Sequence, residues 1–330
     1  MRRREFITLL GGTAVIGPLQ APAQQPKRLP VVGFVASAAP MADIAGPDPV
    51  AAVARAFLHE LRDLGWIDGR TATIERRTAE GDASRAPAII AELLARNVDV
   101  IVLTSTRWLH LAAQNATRTI PTVAAFADDP VAAGLVASLS RPGGNLTGAM
   151  LTTGPEFNGK RLQLLTELAA RITRIAFLGT QDVLDQFISV VHITGITVIP
   201  VPVNAAEHYE AAFDAIRQAR VNALLVSTGP LNTIHAQRIV AFAMNARLPT
   251  MHANRRAVEE GGLMFYGASD LASFRQIAHF VDRILKGARP IDLPIERPTK
   301  FELVLNLKTA KALDLTFPPL IVAQADEVIE

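Results

Sequence analysis

The sequence predicts an α/β protein of two lobes, each a parallel β-sheet flanked by helices, with a ligand cleft between the lobes. The chain has 330 residues, which is more than one typical domain holds. From residue 29 onward, short apolar runs alternate with segments of helical periodicity, the pattern of parallel α/β layers. A segment of the first half also has a counterpart in the second half, which indicates that the two lobes are related.

This internal repeat is centred on two predicted strands. The sequence Ala-Arg-Asn-Val-Asp-Val-Ile-Val-Leu-Thr-Ser-Thr at 95–106 resembles Ala-Arg-Val-Asn-Ala-Leu-Leu-Val-Ser-Thr-Gly at 219–229. Each is followed by a helical segment and then by a strand that starts with Pro-Thr, at 121–122 and 249–250. Chance similarity is the alternative, because all α/β units share this order of elements.

In the first half, predicted strands and helices alternate. Val31–Ala36 is apolar throughout, as expected for a strand that is buried on both faces. Pro130 suits the first turn of a helix, where its missing N–H would have no partner. The predicted strands are Val31–Ala36, Thr71–Arg77, Val98–Leu103 and Ile120–Phe126. The predicted helices are Val50–Leu64, Arg85–Arg96, Trp108–Ala116 and Val131–Leu139.

The second half repeats the alternation of strands and helices up to about residue 288, and a proline-containing connector follows. Three prolines make residues 289–300 an extended connector. Several parallel connectors between two lobes allow hinge closure around a ligand. The predicted strands are Arg174–Leu178, Thr197–Val203, Asn222–Ser227, Gly262–Tyr266 and Phe301–Leu307. The predicted helices are Lys160–Leu168, Val183–Ile193, Glu207–Ala219, Ile234–Ala246, Leu271–Lys286 and Lys308–Leu313.

The N-terminus predicts an export signal. A charged head, Arg2–Glu5, precedes the apolar run Ile7–Leu19, and Ala21–Ala23 supplies the small residues that a signal peptidase accepts. The Arg-Arg-x-Phe arrangement at 3–6 resembles a twin-arginine signal. An uncleaved membrane anchor is the alternative, but the run is short and is broken by Gly and Pro. We therefore expect residues 1–23 to be cleaved and the mature protein to be soluble and periplasmic.

Charge and composition exclude several classes of protein. The formal net charge of +2 is accounted for by the charged head, and no basic cluster with interleaved aromatic residues occurs elsewhere, so we expect no nucleic-acid partner. The chain has no cysteine, which excludes disulfides, thiol chemistry and a lipid anchor on an N-terminal Cys. The seven histidines are scattered, and no nucleophile elbow or phosphate-binding loop is present. We expect no cofactor, no metal site and no catalytic residues.

An ordered set of short motifs along nearly the whole chain resembles the ABC transporter substrate-binding protein family that contains the tryptophan-binding, TrpX-like proteins. No single motif is specific, but their order is. The motifs are Arg-Arg-Arg-Glu-Phe-Ile-Thr-Leu-Leu-Gly-Gly at 2–12, Leu-Pro-Val-Val-Gly-Phe at 29–34, Asp-Pro-Val at 129–131, Gly-Leu-Val at 134–136, Arg-Pro-Gly-Gly-Asn at 141–145, Thr-Gly at 147–148, Lys-Arg-Leu at 160–162, Gly-Gly-Leu-Met at 261–264, Tyr-Gly at 266–267, Ile-Leu-Lys-Gly-Ala at 284–288, Pro-Thr-Lys-Phe-Glu-Leu at 298–303 and Asn-Leu-Lys-Thr-Ala at 306–310.

The resemblance implies a class I periplasmic binding protein that delivers a small polar solute, such as an amino acid or a related carboxylate, to an ABC permease in the inner membrane. We expect a monomer. Lobe one is expected to comprise residues 29–148 plus about 268–296, and lobe two residues 149–267 plus about 299–330.

The sequence departs from the family in two places. After Leu178 the family usually has an Asn-Pro-Asn-rich turn and a full helix, whereas Gly179–Asp182 leads into a shortened segment. After Thr106 the family usually has small residues, whereas Arg107, Trp108 and His110 follow here. The second departure predicts a bulky, cationic edge and a ligand different from that of better-known relatives.

The candidate ligand contacts in lobe one follow predicted strands. Ser37 follows the first strand and 104–106 (Thr104, Ser105 and Thr106) the third, where hydroxyls and a helix N-terminus favour an anion such as a carboxylate. Helix capping is the alternative, since Ser and Thr cap equally well. Asp128 and Asp129 follow the fourth strand, and we expect one to cap the next helix and one to bind a ligand ammonium.

In lobe two, the candidates are Thr228, Tyr266 and Asp270, which lie at strand ends or just beyond them. Tyr266 is suited to stack on a planar ligand and to bond it through its hydroxyl, but a core position is the alternative. Two alternative hypotheses place a different function in the same cleft. One is an exported α/β enzyme with Asp128 or Asp129 as acid or base, and the other is a periplasmic ligand sensor.

Overall fold

The computed structural model describes residues 28–104, 106–127, 129–151, 156–168, 172–181, 183–185 and 195–330. The predicted signal 1–23, Ser105, Asp128 and most of the predicted helix Val183–Ile193 lie outside the described residues. Across the described residues, no helix is both long and apolar enough to cross a bilayer.

The first sheet has five parallel strands in the order β2-β1-β3-β4-β5. Apolar side chains on both faces bury it between helices, which is why its central strands are apolar throughout. The strands are β1 (Val31–Ala36), β2 (Thr73–Thr78), β3 (Val100–Leu103), β4 (Thr122–Phe126) and β5 (Leu146–Met150). The helices are α1 (Met41–Ile44), α2 (Ala52–Asp63), α3 (Ala86–Ala95) and α4 (Arg107–Ala116).

The second sheet has seven strands in the order β12-β11-β10-β9-β8-β6-β7, with β11 antiparallel to β10. Its strands are β6 (Arg174–Gly179), β7 (Thr197–Pro202), β8 (Ala223–Val226), β9 (Thr250–His252), β10 (Met264–Ala268), β11 (Phe301–Asn306) and β12 (Glu327–Ile329). The helices that follow α4 are α5 (Glu156–Leu168), α6 (Tyr209–Gln218), α7 (Pro230–Ile234), α8 (Ala236–Asn245), α9 (Arg255–Glu259), α10 (Asp270–Leu285), α11 (Leu307–Ala312) and α12 (Pro319–Gln324).

The two sheets share one topology, which confirms the relation that the internal repeat predicts. The order β7-β6-β8-β9-β10 in the second sheet matches β2-β1-β3-β4-β5 in the first. The turn before β3 has Asn97 at φ 53°, and the turn before β8 has Arg220 at φ 49°. The carboxylate of Asp99 accepts the N–H of Val31 at the start of β1, and the amide oxygen of Asn222 accepts the N–H of Arg174 at the start of β6.

Helix α10 follows β10 of the second sheet but packs on the first. Its buried face includes Phe274, Ile277 and Phe280, which share one apolar cluster with residues of α2, β3 and β4. Trp66 Nε1, just beyond α2, donates to Asp282 Oδ1 of α10 at 2.9 Å. Burial of this apolar face explains why the chain returns to the first sheet at this point.

The connector after α10 joins both sheets. Ile295 N–H donates to the carbonyl of Leu139, and Glu296 exchanges backbone hydrogen bonds with the end of β5, after which the chain enters β11. The chain therefore passes between the sheets after β5, after β10 and before β11, the layout that hinge closure requires.

The predicted helix Val131–Leu139 is wrong. Residues 130–134 form a turn in which the N–H of Leu135 donates to the carbonyl of Pro130. Gly134 has φ +70°, which ends the helical path. Leu135 and Val136 are then buried against the first sheet, so they cover the face that a helix would have covered.

The predicted helix Ile234–Ala246 is also different in the structure. Two helices, α7 and α8, meet at His235, whose backbone leaves the helical region at φ −99° and ψ 19°. Helix α7 begins at Pro230, directly after Gly229 at φ 144°. The Pro-initiated start, a rule that failed after β4, holds after β8.

Candidate functional site

The candidate site residues lie at the carboxyl edges of the two sheets. Parallel strands have their carboxyl ends at one edge of a sheet, and ligands of open α/β sheets bind there. In sheet one the candidates follow β1, β3 and β4, and in sheet two they follow β8 and β10. Each sheet therefore gathers its own candidates on one edge, as the sequence predicts.

Thr104 joins two of the loops on the edge of sheet one. Its buried hydroxyl accepts the backbone N–H of Ser37 at 2.8 Å, so the segments after β1 and β3 are in direct contact. A ring nitrogen of His110 lies 3.2 Å from the Thr104 carbonyl. The Thr104 hydroxyl still has a proton to donate, but its first role is to hold the loops together.

Thr106 has a free hydroxyl. It occupies the N-cap position of α4, yet its side chain makes no capping hydrogen bond. The hydroxyl oxygen is buried and has no hydrogen-bond partner among the described residues. Buried polar atoms are nearly always paired, so this oxygen keeps Thr106 among the candidate ligand contacts. Capping, the alternative for Thr106, does not hold.

The bulky, cationic edge predicted after Thr106 is wrong for two of its three residues. His110 is buried against the ring of Phe126, and burial lowers its pKa to about 4, so the imidazole is neutral at pH 7. Trp108 packs against the apolar cluster under sheet one. Arg107 alone is exposed, and its Nη2 reaches the carbonyl of Ala133 at 3.5 Å.

Asp129 caps the turn that follows β4. Its Oδ1 accepts the N–H of Val131 at 2.8 Å and that of Ala132 at 3.2 Å. This is the capping role expected of one member of the Asp pair, applied to a turn instead of a helix. Its partner in the sequence, Asp128, lies outside the described residues.

Thr228 and Tyr266 lie on the edge of sheet two. Thr228 is half-buried, and its carbonyl accepts the Ser227 hydroxyl at 3.0 Å. Tyr266 is half-buried, and its hydroxyl makes no hydrogen bond to a described residue. Burial raises the pKa of the Tyr266 phenol, so it stays protonated and able to donate.

Tyr266 belongs to a stack of three rings. The rings of Phe157 and Phe301 lie 4.6 Å apart between centroids, and Phe157 is nearly parallel to Tyr266 at 6.2 Å. All three side chains are half-buried, so each ring keeps some surface open. We call these residues the aromatic stack. The sequence singled out Tyr266 but not the other two.

Asp270 begins α10, directly after β10. The side chain is exposed, and it has no hydrogen bond or ion pair with a described residue. Protein nevertheless surrounds the carboxylate closely, and this desolvation, aided by the negative charge of Glu302, raises its pKa to about 6.

Sequence reasoning missed Arg161, on α5. The side chain is 7% exposed, its Nε donates to the Tyr266 carbonyl at 2.6 Å, and its Nη1 donates to Asn158 Oδ1 at 2.7 Å. One signal was available in the sequence: Arg161 lies in the apolar stripe of α5, with Leu165 and Leu168 on the same face. An arginine at such a position requires a special partner.

Two cavities lie away from these carboxyl edges. A cavity of about 540 Å³ is lined by residues 134–137 and 142–146, beside the start of β5, and one of about 400 Å³ lies before the starts of β8 and β9. Both are therefore at the amino edges of the sheets, away from the edges where α/β folds bind ligands. Among the described residues, no group of His, Asp or Glu is arranged to hold a metal ion.

Two sheets that share one order of five parallel strands, flanked by helices and joined by three crossings, define the class I periplasmic binding protein fold. The family model of ABC transporter substrate binding proteins matches residues 43–329, so the chain belongs to that family. The resemblance stated from the motifs is thereby confirmed.

The chain is similar to one curated protein and to two solved structures in particular. A tyrosine-binding protein of Clostridioides difficile is 25% identical over 267 residues, which cover 79% of this chain and 76% of that protein. A conserved domain protein of Vibrio cholerae superposes with a TM-score of 0.78 at 23% identity, covering 91% of this chain and all of that one. The ABC domain of Streptococcus pneumoniae in complex with L-Trp superposes with the same TM-score at 22% identity and the same coverage.

Proposed function

We propose that this protein is the solute-binding component of an ABC importer. It binds a small polar solute, an amino acid or a related carboxylate, between its lobes and passes it unchanged to a permease in the inner membrane. The observation that carries the proposal is the pair of sheets with matching strand order, whose carboxyl edges bear free polar groups and are joined by three connectors. The relatives named for tyrosine and bound to L-Trp favour an amino acid.

The lobes move as units in this proposal. Lobe one comprises residues 29–148 plus about 268–296, and lobe two comprises 149–267 plus about 299–330. The packing of α10 on α2 supports the return of the chain to lobe one, and the pairing of β11 with β10 supports its second departure to lobe two. Closure about the three connectors brings the two carboxyl edges together.

Each lobe supplies part of the ligand shell. By these bounds, lobe one supplies hydroxyl groups and carboxylates, and lobe two supplies hydroxyl groups. The proposed contacts are Ser37, Thr104, Ser105, Thr106, Asp128, Asp129, Thr228, Tyr266 and Asp270. The free hydroxyl of Thr106 and the unpaired carboxylate of Asp270 are the best supported of these, since each lacks a partner among the described residues.

The protein works outside the cytoplasm in this proposal. Residues 1–23 direct export by the twin-arginine route and are removed, and the mature chain acts as a monomer in the periplasm. We propose no catalytic role, since the family is one of substrate-binding proteins.

A thermal-shift screen of amino acids, small carboxylates, purines and sugars tests the proposal. A ligand at about 100 times its Kd stabilises the fold by roughly 2.7 kcal/mol, a rise in Tm of roughly 5–10 °C. Small-angle scattering with the best ligand should show a smaller radius of gyration as the lobes close. Absence of any shift, together with a product found in the same mixtures, would instead favour the enzyme.

Thr106→Val tests the site. This nearly isosteric change removes the free hydroxyl, and we expect affinity to fall roughly 5- to 20-fold with little change in the Tm of the unliganded protein. Thr233→Val is a matched control, since that hydroxyl is already bonded to Gly229 and Asn254 within lobe two. Loss of stability without loss of affinity in Thr106→Val would remove Thr106 from the site.

A further inference from the structure

Thr104 and Ser227 occupy equivalent positions at the exits of the central strands β3 and β8. The N–H of Thr104 donates to the carbonyl of Val35, the last residue but one of β1, and the N–H of Ser227 donates to that of Leu178, the last but one of β6. Both residues are buried and carry a hydroxyl. Each begins the turn that carries candidate ligand contacts of its sheet, so the conformation of the two turns decides where those contacts lie.

In lobe one, the side chain of His110 reaches back from α4 to the turn after β3. Its Nε2 lies 3.2 Å from the Thr104 carbonyl oxygen, which also accepts the N–H of Thr106 at 2.8 Å. The ring faces the carbonyl of Ala125 in β4 as well, and it packs against Phe126 in an edge-to-face contact. The buried imidazole is neutral at pH 7 and has one N–H to donate. His110 thus joins the ends of β3 and β4 to the first turn of α4.

In lobe two, Asn232 of α7 has the same relation to the turn after β8. Its Nδ2 donates to the Ser227 carbonyl at 3.1 Å and lies 3.2 Å from the Ser227 hydroxyl oxygen. Its Oδ1 accepts the hydroxyl of Tyr209 of α6 at 2.9 Å. Burial raises the pKa of that phenol to about 12, so the hydroxyl keeps its proton and donates. Tyr209 and Asn232 are both buried, so this chain of hydrogen bonds runs through the interior of the lobe.

These buried polar side chains are not what packing alone requires. Replacing two hydrogen-bonded partners by apolar groups of the same shape is often neutral for stability, whereas a fully bonded polar network specifies one conformation. The same arrangement occurs in both lobes with different residue types and spacing, a histidine six residues after Thr104 and an asparagine five residues after Ser227. The internal repeat by itself therefore does not account for it, and a shared requirement on the two turns does.

We propose that His110 and Asn232 are positioning residues, which hold the turns after β3 and β8 in the conformation that binds the solute. The inference rests on the proposed function. Neither residue contacts the solute in this proposal; they act through the turns that carry Thr106 and Thr228. A turn that is already fixed loses less conformational freedom on binding, so these buried hydrogen bonds increase affinity from a distance.

The first test is residue-resolved amide hydrogen exchange on the full mature chain without solute. His110→Leu removes the ring nitrogens, and the Thr106 N–H should then exchange at least about 5-fold faster. His110→Gln keeps an N–H donor near the position of Nε2 and should restore the wild-type rate to within about 2-fold. Asn232→Leu should speed exchange of the Thr233 N–H, which donates to the turn, by at least about 5-fold, and Tyr209→Phe by a smaller factor.

Two buried residues away from the turns provide matched controls. His252→Leu removes a second buried histidine, whose Nε2 has no partner among the described residues, and should leave exchange at Thr106 unchanged. Asn306→Leu removes a second buried asparagine, which bonds the Val258 carbonyl and the Thr309 N–H, and should leave exchange at the turn after β8 unchanged. These controls separate a local effect on each turn from a general loss of stability.

The second test is isothermal titration calorimetry of the same variants with L-tyrosine, with L-tryptophan and with each solute that raises the Tm in the thermal-shift screen. His110→Leu and Asn232→Leu should weaken binding about 5- to 30-fold, and His110→Gln and the two controls should stay within about 2-fold of wild type. Should a leucine variant not fold, Tyr209→Phe decides for lobe two. His110→Asn, whose amide lies near the position of Nδ1 instead of Nε2, decides for lobe one.

Four results are informative against the inference. Exchange at the turns that stays at the wild-type rate in the leucine variants overturns it. Faster exchange throughout the lobe, matched by the controls or not restored by His110→Gln, makes these side chains general core residues and also overturns it. Unchanged affinity in variants whose turns have loosened overturns it while the proposed function stands. A screen in which no solute binds the wild-type protein removes the proposed function and the inference with it.

Discussion

Gly148 is the position in β5 where a side chain is least tolerable. It lies opposite Ala124 of β4, and its φ is +147°. A Cβ at this position would lie 1.9 Å from the Ala124 carbonyl oxygen and 2.7 Å from the Ala124 nitrogen. The atoms it meets are backbone, so they cannot move without opening the β4–β5 ladder.

The magnitude follows from two costs. A non-glycine residue in this backbone region is strained by about 1–3 kcal/mol, and overpacking against a fixed neighbour costs about 1–3 kcal/mol. We expect Gly148→Ala to lower the free energy of unfolding by about 3–5 kcal/mol. For a lobe of this size, that is a fall in Tm of roughly 6–20 °C. The Gly148 carbonyl also accepts the N–H of Glu296, so the connector to lobe two should loosen.

Gly144→Ala, four residues earlier in the chain, is the control. Gly144 has no atom within 4 Å of an added Cβ, and its φ is not in the positive region. We expect its Tm to stay within about 2 °C of wild type, since surface changes of this kind are usually within ±0.5 kcal/mol. Urea and thermal unfolding of both variants check this. A Gly148→Ala protein as stable as wild type, or two variants that lose stability equally, would refute the reasoning.

Three further predictions concern single side chains. Burial lowers the pKa of the His252 imidazole from 6.5 to about 4. As the pH falls, the unfolded chain therefore binds a proton before the folded protein does. The free energy of unfolding is at its full value above about pH 6.5 and falls by up to about 3 kcal/mol toward pH 4. His252→Leu, which removes an unpaired buried nitrogen, should flatten this part of the pH profile in urea unfolding; an unchanged slope would contradict it. Asp129→Ala should lose about 1 kcal/mol of stability with the cap, and an affinity that also falls in calorimetry would add a ligand contact to that role. Asp282→Ala breaks the bond from Trp66 and should cost about 1–2 kcal/mol and change indole fluorescence, whereas an unaltered spectrum and Tm would show the bond to be dispensable.

The sequence by itself determined the two-lobed fold. Apolar runs such as Val31–Ala36 are buried on both faces, so their hydrophobic pattern alone indicates central parallel strands. The internal repeat also predicted that β3 and β8 are equivalent, because the same turn, strand and helix follow one another in both segments. The positions of Ser37 and Thr104 at one edge followed from the rule that parallel strands end together.

The tertiary structure alone decided the path after β4 and the burial of His110. A stretch of small apolar residues after Pro130 fits a helix locally, but the burial of Leu135 and Val136 against the sheet favours a turn. The sequence predicts a cationic edge that includes His110. In the structure its ring packs against Phe126, and burial lowers the pKa of the imidazole to about 4. The physical reason is the same in each case: desolvation depends on which distant segments cover a residue, and local sequence does not contain that information.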